Sequence, residues 1–299
     1  MSISDNIQNA RLSLEGLSVG DGFGEKFFLH PDVVESLINS RALPGEPWYY
    51  TDDTQMALSI VSVLSECGEI NQDKLAQSFA RRYDSSRGYG AGIGRLLTLI
   101  RDGEYWGDVA RNLFDGQGSY GNGAAMRVAP LGAYFADDIE MVVNETHKSA
   151  VVTHTHSEAI AGAVAVAVAA ALALKLQKNL PSKSEFLNQI LPYLPDSEVR
   201  SKIRIARDLT EGLAVQSAAS ILGNGTKISA QDTVPFALWC AAQNLGNYEE
   251  ALWLTVNGLG DRDTTCAIVG GIVVLSAGFE SIPNIWLKAR ENLPDLSEK

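Results

Sequence analysis

The chain has 299 residues, 45% hydrophobic and 20% charged, the balance of a soluble globular protein long enough to bury a sizeable core. Its formal net charge of −12 excludes broad contact with nucleic acid or an anionic membrane surface, since both need a basic face. An anionic ligand would have to be met by local devices: metal ions, helix N-termini or a few arginines.

In chain order, residues 1–10 begin polar, with no basic n-region and no apolar h-region, which predicts no secretory signal and a cytoplasmic location. Apolar residues then recur at spacings of three and four. This predicts helices over residues 7–17, 33–38, 55–64, 74–83, 93–100, 108–113, 124–134 and 139–149, and again over 158–178, 184–191, 198–222, 234–244, 249–256, 264–277 and 284–292. Turn signals fall at Gly20-Asp21-Gly22, Leu43-Pro44-Gly45, Gly116-Gln117-Gly118, Leu194-Pro195-Asp196 and Gly223-Asn224-Gly225. No segment needs a sheet, none is a long linker and no fixed-period repeat occurs, so one compact all-α domain over 1–299 is expected. The alanine-rich run over 159–174 is shorter than a bilayer span and reads as a helix buried on all sides of a bundle. Cys67, Cys240 and Cys266 are odd in number and set in apolar contexts, which reads as free buried thiols.

Four stretches could carry chemistry. Thr51-Asp52-Asp53-Thr54 and Asp261-Arg262-Asp263-Thr264 each introduce an apolar helix. Either alone reads as a helix cap that complements the dipole. Together, if the two helix starts converge, they bring four carboxylates to one place, where mutual repulsion needs a counter-charge. Two divalent cations supply it, with the threonine hydroxyls as neutral ligands, and an all-oxygen set suits Mg²⁺ or Mn²⁺ over zinc or copper. The third stretch, Gly116 to Arg127, packs four glycines into eight residues ahead of a small-residue segment. It reads as a tight packing loop or as backbone N–H groups approaching an anion. In the fourth, Thr153-His154-Thr155-His156-Ser157, the two histidines do not share a helix face, so joint chelation is not expected. Ser157 or Thr155 could cap the following helix, and His154 reads as a structural residue or a phosphate donor.

Taken in order, Gly20-Asp21-Gly22-Phe23-Gly24, Thr51-Asp52-Asp53-Thr54, Ser119-Tyr120-Gly121-Asn122-Gly123-Ala124-Ala125-Met126-Arg127, Thr153-His154-Thr155-His156 and Gly260-Asp261-Arg262-Asp263-Thr264 resemble the ADP-ribosylglycohydrolase family across nearly the whole chain. The resemblance implies an all-α fold with a binuclear Mg²⁺ or Mn²⁺ centre held by Thr51, Asp52, Asp53, Asp261, Asp263 and Thr264. It implies that Gly118, Ser119, Tyr120, Gly121, Asn122, Gly123, Met126 and His154 bind ADP-ribose. The implied reaction is hydrolysis of the bond between the distal ribose and a modified acceptor such as arginine or serine, a protein side chain or a small ADP-ribose conjugate, releasing ADP-ribose. A water delivered by Asp52 or Asp53 would attack an oxocarbenium-like centre.

The family often carries a Glu shortly after the first glycine motif. Here that place is Phe28, with Glu25 slightly earlier as the candidate replacement. Two other classes fit the same residues: a non-catalytic ADP-ribose binder or crystallin-like structural protein that keeps the pocket, and a dimetal phosphohydrolase acting on a nucleotide diphosphate. No GxxxxGK[ST] loop is present.

Overall fold

The computed structural model describes residues 3–177 and 179–295, so the last residue of the predicted 158–178 helix lies outside the described residues. In chain order the helices are α1 (Ile3–Glu25), α2 (Pro31–Ser40), α3 (Asp52–Cys67), α4 (Gln72–Arg82), α5 (Ala91–Arg101), α6 (Trp106–Asn112), α7 (Ala129–Tyr134) and α8 (Ile139–Val151). They continue as α9 (Ser157–Lys175), α10 (Lys183–Ile190), α11 (Glu198–Asp208), α12 (Val215–Leu222), α13 (Ala230–Gln243), α14 (Tyr248–Val256), α15 (Arg262–Ala277) and α16 (Asn284–Ala289). Among the described residues there is no strand, only two isolated bridges, Trp48 with Arg290 and Gly121 with Ser229.

The pairing of α1 with α15 organises the fold. Gly16, Gly20 and Gly24 repeat at a spacing of four and so share one helix face. A Cβ on Gly20 would stand 2.2 Å from the Cys266 carbonyl oxygen, and one on Gly24 would stand 2.2 Å from that of Arg262. From the other side, a Cβ on Gly270 would stand 2.3 Å from the Gly16 oxygen, which also accepts the Tyr248 hydroxyl at 2.6 Å. The backbones therefore touch, and Asp21 and Glu25 near the end of α1 lie beside the start of α15.

This packing corrects the predicted turn at Gly20-Asp21-Gly22. The three residues are helical, because the glycines serve close approach and α1 runs on to Glu25. Two further corrections concern continuity. The predicted 198–222 helix breaks into α11 and α12 around Gly212, whose φ is +75°. The predicted 124–134 helix begins only at Ala129, after a 3-10 turn over Asn122–Ala124.

α9 is the one described helix long and apolar enough to cross a membrane. Its residues from Ala159 to Ala171 are nearly all buried, under α7, α8, α13 and α15. Cys240 and Cys266 are buried and Cys67 is half-buried, all three as free thiols.

Several helix starts are capped by side chains. Asn71, Asp138, Ser197 and Asn247 each accept a backbone N–H in the first turn of α4, α8, α11 and α14, and Ser182 closes a capping box on α10. Thr51 before α3 and Asp261 before α15 occupy cap positions yet make no side-chain cap hydrogen bond. Their oxygens point to other partners.

Candidate active site

At the start of α3, the Thr51 hydroxyl lies 2.8 Å from an Asp21 oxygen and 2.9 Å from Asp53 Oδ2. Asp21 also accepts the Thr51 and Thr54 backbone N–H groups at 2.9 and 3.1 Å, and the Thr54 hydroxyl at 2.5 Å. A fully buried carboxylate on α1 thus fixes the first turn of α3. Burial raises the Asp21 pKa, and these four donors oppose the rise. The sequence reading missed Asp21 because a polar residue between two glycines looks like a turn.

The second helix start meets the first. Thr264 Oγ1 reaches toward Asp53 Oδ2 at 3.5 Å, and Asp261 Oδ2 accepts Asn122 Nδ2 at 2.7 Å. Asn122 also reaches Thr233 at 3.0 Å, so the glycine-rich loop is tied to α13 and to the start of α15. Asp21, Asp52, Asp53, Asp261 and Asp263 therefore gather where α1, α3 and α15 converge, and Thr51 and Thr264 stand among them.

The electrostatics follow from that crowding. Burial, then Asp263 and Asp21, hold the Asp52 pKa well above the ordinary value; burial, then Asp21 and Asp263, do the same to Asp53. Burial and Asp263 push Asp261 up to about 8, and burial with Asp21 pushes Asp263 up to about 6. Since folding raises these values above 3.8, the fold favours the protonated carboxyls. Their contribution to stability is complete below about 3.8, declines as pH rises above it, and is lost once pH has passed about 6 for Asp263 and about 8 for Asp261. The melting temperature of chelator-stripped protein should accordingly fall across that window in a calorimetric pH series. A flat profile would contradict this electrostatic picture.

Among the described residues no three His, Cys, Asp or Glu side chains form a ready-made metal cage. The carboxylates are instead hydrogen-bonded to threonines and Asn122. Asp53 Oδ1 and Asp263 Oδ1 are the exceptions, buried with no hydrogen-bond partner. Such orphaned anionic oxygens, in an all-oxygen set with raised pKa values, fit a hard divalent cation.

Asp52, Asp261, Asp263 and Thr264 line a cavity of about 370 Å³. Ser119, Tyr120, Gly121, Asn122, Gly123, Met126 and His154 form a second wall, and Gly88, Gly90, Ala91, Gly92 and Ile93 form a third. Gly118 supports the loop from outside this lining, with a φ of +73° and its α-carbon against Thr155. His154 is buried, its Nδ1 2.7 Å from the Thr153 hydroxyl, and its ring packs under Gly121 and Gly123. Burial and the nearby Arg127 guanidinium hold His154 well below its usual pKa, so the imidazole is neutral. The cap of α9 is neither Thr155 nor Ser157; His156 Nδ1 accepts the Glu158 N–H at 3.1 Å.

The 88–93 wall was not anticipated from sequence, nor were Phe114 and Ile228 at the mouth, whereas Tyr120 was. Phe114, Tyr120 and Ile228 stand exposed at the rim, and Phe114 and Ile228 hold φ values of +53° and +51°. A left-handed β-branched residue such as Ile228 is strained by about 1–3 kcal/mol. Glu25 lies outside the main cavity. It lines an adjoining one with Thr51, Arg87 and Asp263, half-buried, its pKa raised by burial and then by Asp21. Phe28 does not enter either cavity; its exposed ring lies under the Arg262 guanidinium at 5.1 Å.

Comparison with known proteins bears on the family of the chain. The model of the ADP-ribosylglycohydrolase family matches residues 3–299. ADP-ribosylhydrolase ARH3 of Xenopus tropicalis is 30% identical, covering 98% of this chain and 93% of its own, and ADP-ribosylarginine hydrolase Tri1 of Serratia proteamaculans is 24% identical, covering 99% and 80%. A solved ADP-ribosylglycohydrolase-related protein complex shares the fold, with a TM-score of 0.66 at 22% identity over 96% of this chain and 94% of that one. By the family-model match over residues 3–299, the chain belongs to the ADP-ribosylglycohydrolase family.

Proposed function

We propose that the protein hydrolyses the glycosidic bond between ADP-ribose and a modified acceptor, with two Mg²⁺ or Mn²⁺ ions, and releases ADP-ribose. The carrying observation is the carboxylate cluster forming one wall of a nucleotide-sized cavity whose other walls are mainly backbone and small side chains. The names ADP-ribosylhydrolase and ADP-ribosylarginine hydrolase on its relatives support the same reaction class.

Thr51, Asp52, Asp53, Asp261, Asp263 and Thr264 would hold the ions. When bound, the ions neutralise the carboxylates and polarise ribose hydroxyls. Asp52 faces the cavity and can accept a proton from an attacking water. The glycine-rich turn over Ser119 to Gly123 would let a diphosphate approach the backbone closely, and in the tautomer whose Nδ1 accepts the Thr153 hydroxyl, His154 carries its proton on Nε2, beside that loop. Glu25 borders the adjoining cavity, where a departing acceptor would stand.

At the mouth, Phe114, Tyr120 and Ile228 offer apolar surface to a flat base. Phe114→Ala should weaken ADP-ribose binding about tenfold by calorimetry, roughly 1.4 kcal/mol, as lost aromatic contact predicts. Unchanged affinity would remove the ring from the binding site. The reaction itself is tested with peptides ADP-ribosylated on arginine and on serine, and with a small ADP-ribose conjugate, each with Mg²⁺ or Mn²⁺. Free ADP-ribose from at least one substrate is expected. Tight ADP-ribose binding without turnover of any of them would favour a non-catalytic binder.

A further inference from the structure

The wall formed by residues 88–93, the end of a loop and the first residues of α5, is tethered by one buried amide beside the Arg87 pair with Glu291. Gln55 lies on α3, one residue after Thr54, and its side chain is about nine-tenths buried. Its Oε1 accepts the Asp84 backbone N–H at 3.2 Å and the Tyr89 hydroxyl at 2.8 Å. One carbonyl oxygen therefore holds the loop at two points five residues apart. Between them the chain makes a 3-10 turn over Ser85–Arg87, started by Asp84 accepting Ser86 N–H at 2.9 Å, and then Gly88 at a φ of +86°. A Cβ on Gly88 would stand 3.8 Å from Asp52 Oδ1, which measures how closely this loop approaches the carboxylates. The Tyr89 ring packs edge-on to Tyr83 at 4.9 Å, and Gly90 then opens α5, whose first residues Ala91 to Ile93 run along the cavity.

We propose that Gln55 is a positioning residue for the ADP-ribose site: it sets the distance between the Gly88 to Ile93 wall and the carboxylates on α3. The inference rests on the function proposed above. The residue type follows from the position. An apolar side chain would leave the Asp84 N–H and the Tyr89 hydroxyl without their acceptor. A carboxylate would add another anion one turn from Asp52 and Asp53. A neutral amide meets both requirements, and it reaches from the helix that carries the reacting groups to the loop that shapes their ligand.

A double-mutant cycle tests this through ADP-ribose affinity in Mg²⁺, with Gln55→Met, Tyr89→Phe and the pair. Gln55→Met should weaken binding about five- to tenfold and raise KM more than it lowers kcat, with Mg²⁺ affinity within about twofold of the unsubstituted protein. Tyr89→Phe should weaken binding about threefold, and the pair should be no weaker than Gln55→Met alone. Amide hydrogen exchange should quicken over residues 84–92 in Gln55→Met but not over α3. Additive losses in the pair, unchanged loop exchange, or loss of Mg²⁺ binding with loop exchange intact would each overturn the proposal. No ADP-ribose binding by the unsubstituted protein would instead reject the proposed function, and loop exchange would still decide the tether.

Discussion

Replacing Asp263 with Ala should reduce release of ADP-ribose at least ~10³-fold, about 4 kcal/mol of transition-state stabilisation, while leaving the metal-free protein at least as stable as before. Two observations make both halves follow. Asp263 Oδ1 is buried without a hydrogen-bond partner, so truncation gives up only the carboxylate's contacts with the Thr264 backbone N–H and the Asp261 side chain. Its charge raises the pKa of Asp52, Asp53 and Asp261, so removing it relieves repulsion in the unligated fold. What disappears is the site's capacity to hold a cation, and with it the rise in melting temperature that Mg²⁺ gives by binding only the folded state. Assays of the variant with and without Mg²⁺, beside the unsubstituted protein in excess chelator, check this. Undiminished turnover in either sample would contradict it.

A large loss of stability is expected from Gly20→Ala. The added methyl would stand 2.2 Å from the Cys266 oxygen and 2.8 Å from its carbonyl carbon, both backbone atoms, so no rotamer change can admit it. Helix α1 must move off α15, at a cost of about 3 kcal/mol or more and a fall in melting temperature of roughly 6 °C. The displacement also carries Asp21 and Glu25 away from the start of α15, so Mg²⁺ stabilisation should weaken in the same variant. Gly45→Ala is the control, because nothing lies within 4 Å of its added methyl. It should change stability by less than about 0.5 kcal/mol. Equal melting temperatures for the two variants would show that α1 and α15 are not in the contact described.

The sequence announced the helical class and the two carboxylate-bearing helix starts, because both are local signals: apolar spacing in the first case, clustered Asp and Thr ahead of an apolar run in the second. It misread Gly20-Asp21-Gly22 for a physical reason. Glycine permits a turn and also permits two helices to touch, and only the partner helix distinguishes the uses. Asp21, hidden in that stretch, turned out to hold the first turn of α3. The Gly88 to Ile93 wall and the strained rim residues Phe114 and Ile228 were equally invisible, since their role comes from the cavity they enclose. The hold of the Gln55 amide on Asp84 and Tyr89 is likewise a long-range contact that no spacing rule signals.

The central claim is tested most directly by running the reaction in ¹⁸O-labelled water with an ADP-ribosylated arginine or serine peptide and Mg²⁺, and weighing the products promptly. Glycosidic cleavage predicts intact ADP-ribose carrying one label at the distal ribose, an unlabelled acceptor, and no product in excess chelator. Labelled AMP, or ribose phosphate left on the peptide, would contradict it and assign the carboxylate cluster to phosphate chemistry.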